Sequence, residues 1–473
     1  VIHDSLYWLL FIPQIGILLY FFSLNGIYIL LNLLSLGDIR RIMARRSIQT
    51  EAVIHTGHEP PISILVPAYN ESATIRTSIR AMMQLQYPEF EIIIVNDGST
   101  DDTLQHLIEE FHLVKFPGAY RARLKTSPIR GMYRSKLYPD LQVIDKQNGG
   151  GKADAVNAGI NAARLPLILI TDADSILQRD ALLRAVQPFL ESPRTVGCGG
   201  TIRVANGCVA HGGVLTKVGL PSSWLARFQI VEYFRSFLFG RVGWSRIDAL
   251  MILSGAFGLF HKDTVLEAGG YRTDTKGEDI ELTVRLHDRL LKKGAPYRLH
   301  HVLDPICWTD VPENLRTLGR QRIRWQIGLS ETLWAHRGLL FRKGSGAPGW
   351  VALPFFLVFE WAGPLIEAFG YLLFVVGFAF GIIGPHSFLL FLGVAIGMGV
   401  LLSTSAVLLE EISFHAYPRK RDLAILLVAG VLENFGYRQI HTYWRLVGIL
   451  QWLRRKETKW GAMERSRGWA QAA

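Results

Sequence analysis

From Ser5 to Gly37 the chain carries no charged residue, and Asp4 and Asp38 bracket the stretch. A helix needs about 20 apolar residues to cross hydrocarbon, so this run predicts one tilted or partly interfacial transmembrane helix within residues 1–37. Arg40, Arg41, Arg45 and Arg46 follow, and the positive-inside rule places that end, with a basic linker over 38–60, on the cytoplasmic side. After Glu59-Pro60-Pro61 the pattern changes to short apolar runs of the kind buried in parallel strands: Ile62–Pro67, Glu91–Val95, Leu141–Asp145 and Pro166–Thr171. Helices are predicted over 73–86 and 153–163. Strands alternating with helices predict a parallel α/β sheet, in which ligands bind beyond the carboxyl ends of the strands. Polar clusters stand at those ends here: Tyr69-Asn70-Glu71, Asp97, and Asp172-Ala173-Asp174.

Beyond residue 350 long apolar runs return. Trp350–Ile383 contains Pro354, Glu360, Pro364 and Glu367, so its first half is expected in the membrane interface. Ser387–Leu409 has no charge and predicts a clean span, and Arg419-Lys420-Arg421 marks a cytoplasmic turn. Leu423–Leu453 is apolar around Glu433, Asn434, Arg438 and His441, and polar groups at membrane depth line a pathway or pair with one another. Between the two regions lies a cationic, aromatic cluster, Gln321-Arg322-Ile323-Arg324-Trp325.

Composition agrees with the pattern: 49% of the 473 residues are hydrophobic and 19% charged, with a mean hydropathy of +0.21. The net charge of +11 belongs with the cytoplasmic basic segments of a membrane protein, and no nucleic-acid partner is expected. Cys198, Cys208 and Cys307 are widely spaced and show neither a disulfide framework nor a zinc site. A basic insertion from Lys115 to Lys136 reads as a lipid- or polymer-facing loop or as a solvated excursion.

Two carboxylates one residue apart at a strand end, Asp172 and Asp174, suit a Mg²⁺ or Mn²⁺ that bridges to a diphosphate. Asp97, ending the neighbouring strand, suits hydrogen bonding to a base or ribose. Asn148-Gly149-Gly150-Gly151-Lys152 opens a helix, where free N–H groups and a lysine suit phosphate, although the P-loop pattern is not met.

In this order the motifs resemble the family-2 GT-A glycosyltransferases, especially the processive membrane synthases of hyaluronan, chitin oligosaccharide, poly-N-acetylglucosamine and cellulose. The resemblance rests on Val66–Glu71, Val95–Thr103, Gly151–Gly159, Asp172–Asp174, Ser254–Phe257, Gly277-Glu278-Asp279 and Gln321-x-x-Arg324-Trp325. It implies an α/β GT-A domain, Rossmann-like, over 61–300. Interfacial helices over 301–349 and an all-α transmembrane bundle over 350–455 would follow. It implies Asp279 as general base with Glu278 beside it, Arg324 on the departing diphosphate, and Gln321 and Trp325 at the acceptor. Pro67, Tyr69, Glu71, Asp97, Lys152 and Asp172 would bind the donor, Ser254 and Gly255 the acceptor side, and Asp172 and Asp174 the metal.

Lys459-Trp460-Gly461, in a cytoplasmic tail over 456–473, is similar to the tryptophan-glycine loop of hyaluronan-synthase-like enzymes, although Ala462 and Met463 replace its next two residues. A substrate-gating Trp460 requires an even number of crossings after Trp325, so Leu423–Leu453 is expected as a short hairpin or a helix lying in the interface. The implied function is an inverting, metal-dependent transfer from a UDP-type nucleotide-sugar to a polysaccharide, with translocation across the plasma membrane by a multi-pass protein. An accessory membrane subunit is compatible with it. The alternatives are a single transfer to a glycolipid acceptor, as in ceramide glucosyltransferases, and a non-catalytic export scaffold.

Overall fold

The structure is a computed structural model that describes residues 2–48, 57–118, 121–211, 214–381 and 383–455. Its centre is a ten-stranded mixed sheet. In chain order the strands are β1 (Ile62–Ala68), β2 (Phe90–Asn96), β3 (Leu113–Lys115), β4 (Ile129–Ser135), β5 (Leu141–Lys146) and β6 (Leu167–Thr171). They continue with β7 (Ile176–Leu177), β8 (Thr195–Val204), β9 (Val209–His211), β10 (Val214–Lys217), β11 (Phe257–His261) and β12 (Arg298–Thr309). The sheet order is β3-β4-β5-β2-β1-β6-β11-β8-β12-β7, and β9–β10 form a separate pair.

The four strands expected from the sequence, β5-β2-β1-β6, are mutually parallel. The chain steps outward from β1 through β2 to β5, then returns to the other side of β1 as β6. That reversal opens a crevice at the β1/β6 carboxyl ends, where open α/β sheets hold ligands. The purely parallel expectation is corrected at both sides. Strand β11 runs antiparallel to β6 and β8, and β4 antiparallel to β5. The basic insertion is likewise not a free loop. Its second half is strand β4, and Asn161 Oδ1 accepts the Arg123 and Leu124 N–H groups at 3.0 and 2.9 Å.

The helices explain the burial of β1. They are α1 (Ile2–Ile48), α2 (Ile75–Met82), α3 (Thr103–Glu110), α4 (Lys152–Ala162), α5 (Ala181–Glu191), α6 (Trp224–Tyr233), α7 (Gly240–Arg246) and α8 (Lys262–Ala268). Then come α9 (Glu278–Lys293), α10 (Leu315–Ala335), α11 (Leu353–Phe355), α12 (Gly363–Ala379), α13 (Pro385–Ser413), α14 (Lys420–Leu432) and α15 (Tyr437–Leu453). Successive strand residues face opposite sides. Ile64 and Val66 therefore join one core with Ile75 and Ile79 of α2, while Leu65 joins the other with Val156 and Ile160 of α4. Helix α2 is shorter than its expected span. Pro88 disfavours helix in the residue before it, and the chain has already turned at Met83–Leu85.

Two described helices are long and apolar enough to cross a membrane, Ile12–Gly37 within α1 and Leu392–Ser413 within α13. Helix α1 continues past Asp38 to Ile48, because no proline or glycine interrupts the arginine-rich segment. Two further pairs pass the same test together but are bent: Pro348–Trp361 with α12 by 42°, and α14 with α15 by 56°. The second bend falls at 433–436, where Asn434 Nδ2 donates to Gly430 O (2.8 Å) and Gly436 takes φ 95°. The polar residues within this apolar stretch pair with one another and with neighbouring helices, Arg438 and Arg235 both meeting Glu433 at 3.1 and 2.5 Å. Helix α15 lies directly on α10, where a Cβ on Gly448 would stand 2.8 Å from Gln326 Cβ.

Candidate active site

At the carboxyl ends of β1, β2 and β6 the chain encloses a cavity of about 1850 Å³. Its first wall is the loop after β1. Asn70 takes the left-handed region (φ 56°), which asparagine tolerates, and its side chain accepts from Thr100 N at 2.8 Å. Glu71 N donates to Thr103 Oγ1 at 2.8 Å, so the loops after β1 and β2 are stitched together. Tyr69 is left with its ring exposed on the cavity, beside Pro67 and the buried Glu71.

Asp97 lies beneath them. Its Oδ1 accepts from Lys146 Nζ (2.5 Å) and Gly149 N (3.1 Å), and its backbone carbonyl accepts from Asn148 Nδ2 (2.8 Å). Lys146 is fully buried and also meets Asp154 Oδ2 at 2.5 Å, in the first turn of α4. Burial pushes the Asp97 pKa up, against the pull of Lys146. One lysine thus fixes both the strand-end carboxylate and the glycine-rich turn, a role with no signal in the sequence.

Lys152 opens α4 and lies on Asp172, and its Nζ donates to Gly255 O at 2.7 Å. Burial opposes its charge, but Asp172, and behind it Glu278 and Asp279, hold its pKa above the ordinary lysine range. Gly255 N donates in turn to Asp279 Oδ2 at 3.3 Å, while Asp279 Oδ1 accepts from Ile280 N at 2.8 Å. Burial raises the Glu278 pKa, with Asp279 adding to the rise and Arg324 and Lys152 opposing it.

Helix α10 supplies the next wall. Residues three, four and seven apart share one face of a helix, so Gln321, Arg324, Trp325 and Gly328 align. Gly328 meets Gly277: a Cβ on Gly328 would lie 2.6 Å from Gly277 Cα. This backbone contact brings Glu278 and Asp279 against the face that carries Arg324. Glu331, one turn on, accepts from Lys276 N (2.7 Å) and Thr275 Oγ1 (2.8 Å) and ties down the same loop.

The cavity therefore gathers Pro67, Tyr69, Glu71, Asp97, Lys152, Asp172, Asp174, Ser254, Gly255, Glu278, Asp279, Gln321, Arg324 and Trp325. Trp460 lies outside the described residues. Sequence reading missed Lys146, Glu331, Arg241 and the whole α6–α7 wall. On the membrane side, His441 lines the cavity as one of the polar residues expected at a pathway or a pair, and Glu360 of the apolar run beyond residue 350 joins it, whereas Tyr28 and Arg445 were not anticipated. Arg322, inside the motif, borders the cavity too but is engaged within the protein: it is buried on Glu232 at 2.9 Å and stacks 4.3 Å from the Trp325 ring centroid.

Asp172 and Asp174 offer hard oxygen donors, the kind that Mg²⁺ and Mn²⁺ take. Among the described residues no group of three or more His, Cys, Asp or Glu is arranged to hold a metal ion. The residues fit a cation that completes its shell with oxygens from substrate and water.

A mixed sheet of this order, with strand-end acids facing a glycine-rich helix start, is the GT-A type of nucleotide-sugar fold. The family model "Glycosyl transferase family 2" matches residues 63–218, and "Glycosyl transferase family group 2" matches 167–402. The chain belongs to the family-2 glycosyltransferases. It is similar to the poly-beta-1,6-N-acetyl-D-glucosamine synthase of Staphylococcus epidermidis, at 30% identity over 272 residues, 58% of this chain and 55% of the relative. The synthase of that name from Staphylococcus aureus (strain COL) is 31% identical over 291 residues, 61% and 59% of the two chains. The matched span is thus somewhat over half the length of these relatives. Among solved structures, the mannosyltransferase PcManGT from Pyrobaculum calidifontis, in complex with GDP-Man and Mn2+, shares the fold. Its TM-score is 0.50 at 19% identity, over 93% of this chain and 100% of that one.

Proposed function

We propose that this chain is an inverting membrane glycosyltransferase that extends a polysaccharide from a UDP-type nucleotide-sugar and passes the product through its own helices. The observation that carries the reading is the continuity of one cavity. It runs from Tyr69 and Asp97, through Asp279 and Arg324, to Tyr28, Glu360, His441 and Arg445 of the apolar helices. A lipid-acceptor enzyme needs the first two parts; a polymer that leaves by this route needs all three.

Tyr69, with Pro67, Glu71 and Asp97, would hold the nucleoside, and Lys152 with the N–H groups opening α4 would hold the diphosphate. When bound at Asp172 and Asp174, a divalent cation would supply Lewis-acid stabilisation of the diphosphate. The mannosyltransferase of the same fold, solved with a nucleotide-sugar and Mn2+, supports that choice. Asp279 would take the proton of the acceptor hydroxyl as its oxygen attacks the anomeric carbon. The bond from that carbon to the phosphate oxygen breaks on the opposite face, and Arg324 meets the charge that develops there. Trp325 presents a ring to the acceptor sugar. The α1 and α13 spans, with Arg40 and its neighbours beyond Gly37, support a multi-pass protein with the catalytic part in the cytoplasm.

The test is transfer from labelled UDP-sugars, beginning with UDP-N-acetylglucosamine, with the product sized. A polymer ladder is expected. A single glycolipid would overturn the processive reading, and absence of transfer from every donor would overturn the enzyme reading. Asp279→Asn should lower the rate by about 10²-fold or more while nucleotide binding persists; retained turnover would remove Asp279 from the base role.

A further inference from the structure

One wall of the cavity is built by a helix that no motif marked. Helix α6 passes through a π-helical turn, Phe234–Phe239, into α7. Such turns are rare and concentrate at functional sites. This one brings Ser236, Phe237, Gly240 and Arg241 to the cavity.

Arg241 is nine-tenths buried there. The buried arginines 203, 285 and 322 each meet a carboxylate, at 2.6, 2.9 and 2.9 Å. Among the described residues Arg241 has no such partner and no hydrogen-bond acceptor; its recorded contact is the Phe237 ring, 4.4 Å from Cζ. Burying a guanidinium is costly unless acceptors meet its five N–H groups. A buried, cavity-facing guanidinium without a protein acceptor is therefore suited to a ligand that supplies them.

The surroundings indicate which ligand. Phe237 packs on Trp325 at 6.2 Å between ring centroids, and Trp325 is the ring assigned to the acceptor. Asp279 lines the same cavity as Arg241, and its charge pushes the Arg241 pKa up against the burial that pulls it down to about 10. The donor diphosphate already has Lys152, the start of α4 and Arg324. Resting on the glycosyl-transfer reading above, we propose that Arg241 binds the acceptor. Its planar fork donates hydrogen bonds to hydroxyl or acyl oxygens of the sugar at the growing end and turns the attacking hydroxyl toward Asp279.

The experiment uses the full-length protein with UDP-N-acetylglucosamine as donor and a β-1,6-linked N-acetylglucosamine trisaccharide as acceptor. Arg241→Met should raise the acceptor KM about tenfold or more, with donor KM and equilibrium UDP affinity within about twofold, since one or two charged hydrogen bonds are lost. Arg241→Lys, which keeps the charge but not the fork, should recover part of the loss. Thermal stability of Arg241→Met should be unchanged or higher, because an unpaired buried cation is removed; a structural arginine would lower it. A loss confined to donor KM or UDP affinity would place Arg241 on the diphosphate and overturn the proposal. Unchanged acceptor KM in both variants would overturn it too, while leaving the transfer reading intact. No transfer by the parent protein would overturn that reading and this one with it.

Discussion

His287 sits in the middle of α9 with both ring nitrogens engaged: Nε2 lies 2.9 Å from Leu250 O and Nδ1 2.5 Å from Tyr297 Oη. The carbonyl can only accept, so Nε2 carries the proton and Nδ1 accepts from the tyrosine, which fixes a neutral ring. Burial pulls its pKa down to about 4 from 6.5. A base whose folded pKa is depressed stabilises the fold fully above its unfolded pKa. That contribution fades as pH falls from about 6.5 to about 4 and amounts to about 3 kcal/mol. Thermal unfolding should therefore show a steeper loss in this window than in His287→Gln, which donates and accepts in the same places but does not titrate. Parallel pH profiles would refute the assignment. At this scale the sequence showed carboxylates at strand ends but not the groups that fix them. Lys146 is one lysine after a short apolar run, and only folding brings Asp97 and Asp154 to it.

The elements differ in how far their patterns announce them. Helix α10 was legible because Gln321, Arg324 and Trp325 recur at helical spacing within a recognisable motif. Helices α6 and α7 were not, although Glu232 and Arg241 stand among apolar residues and mark buried polar positions that need partners. The contact between α9 and α10 was also hidden, since a glycine in a helix has no pattern of its own. Gly328→Ala isolates it. In an unencumbered helix interior this change stabilises by up to about 1 kcal/mol. Here the new Cβ would lie 2.6 Å from Gly277 Cα, and overpacking of this kind costs about 1–3 kcal/mol. The relief available is for α10 to move away from Glu278 and Asp279, and a shift of 1 Å at a reacting centre can cost about 10²-fold. The expected outcome is a lower melting temperature and a rate reduced by one to two orders of magnitude, with UDP affinity retained. A stabilised, fully active Gly328→Ala protein would show that the helices do not bear on one another.

For the molecule as a whole, the parallel half of the sheet was readable because β1, β2, β5 and β6 are continuous apolar runs that pair in sequence order around β1. The other half was not. Strand β8 is interrupted by glycines and β12 by Asp304 and Pro305, and their places are set by pairing across about 100 residues. The same long-range packing joins the catalytic part to the apolar helices. Arg203 of β8 reaches Glu410 of α13 at 2.6 Å, with both side chains almost fully buried. The guanidinium stands 5.4–5.9 Å from the rings of Phe234, Trp308 and Phe414. Removing one partner of a buried pair strands the other charge and costs about 3–5 kcal/mol, whereas replacing both by apolar groups can be neutral. Glu410→Ala should therefore lower the melting temperature of the detergent-solubilised protein sharply, read by tryptophan fluorescence. The joint replacement Arg203→Met with Glu410→Leu should recover most of the loss. If the pair only stabilises the fold, the recovered protein will polymerise normally. If it aligns the cavity with the apolar helices, stability will return while product length stays short. An equal loss in the single and double variants would mean that the ion pair itself, not the stranded arginine, sets the stability of this junction.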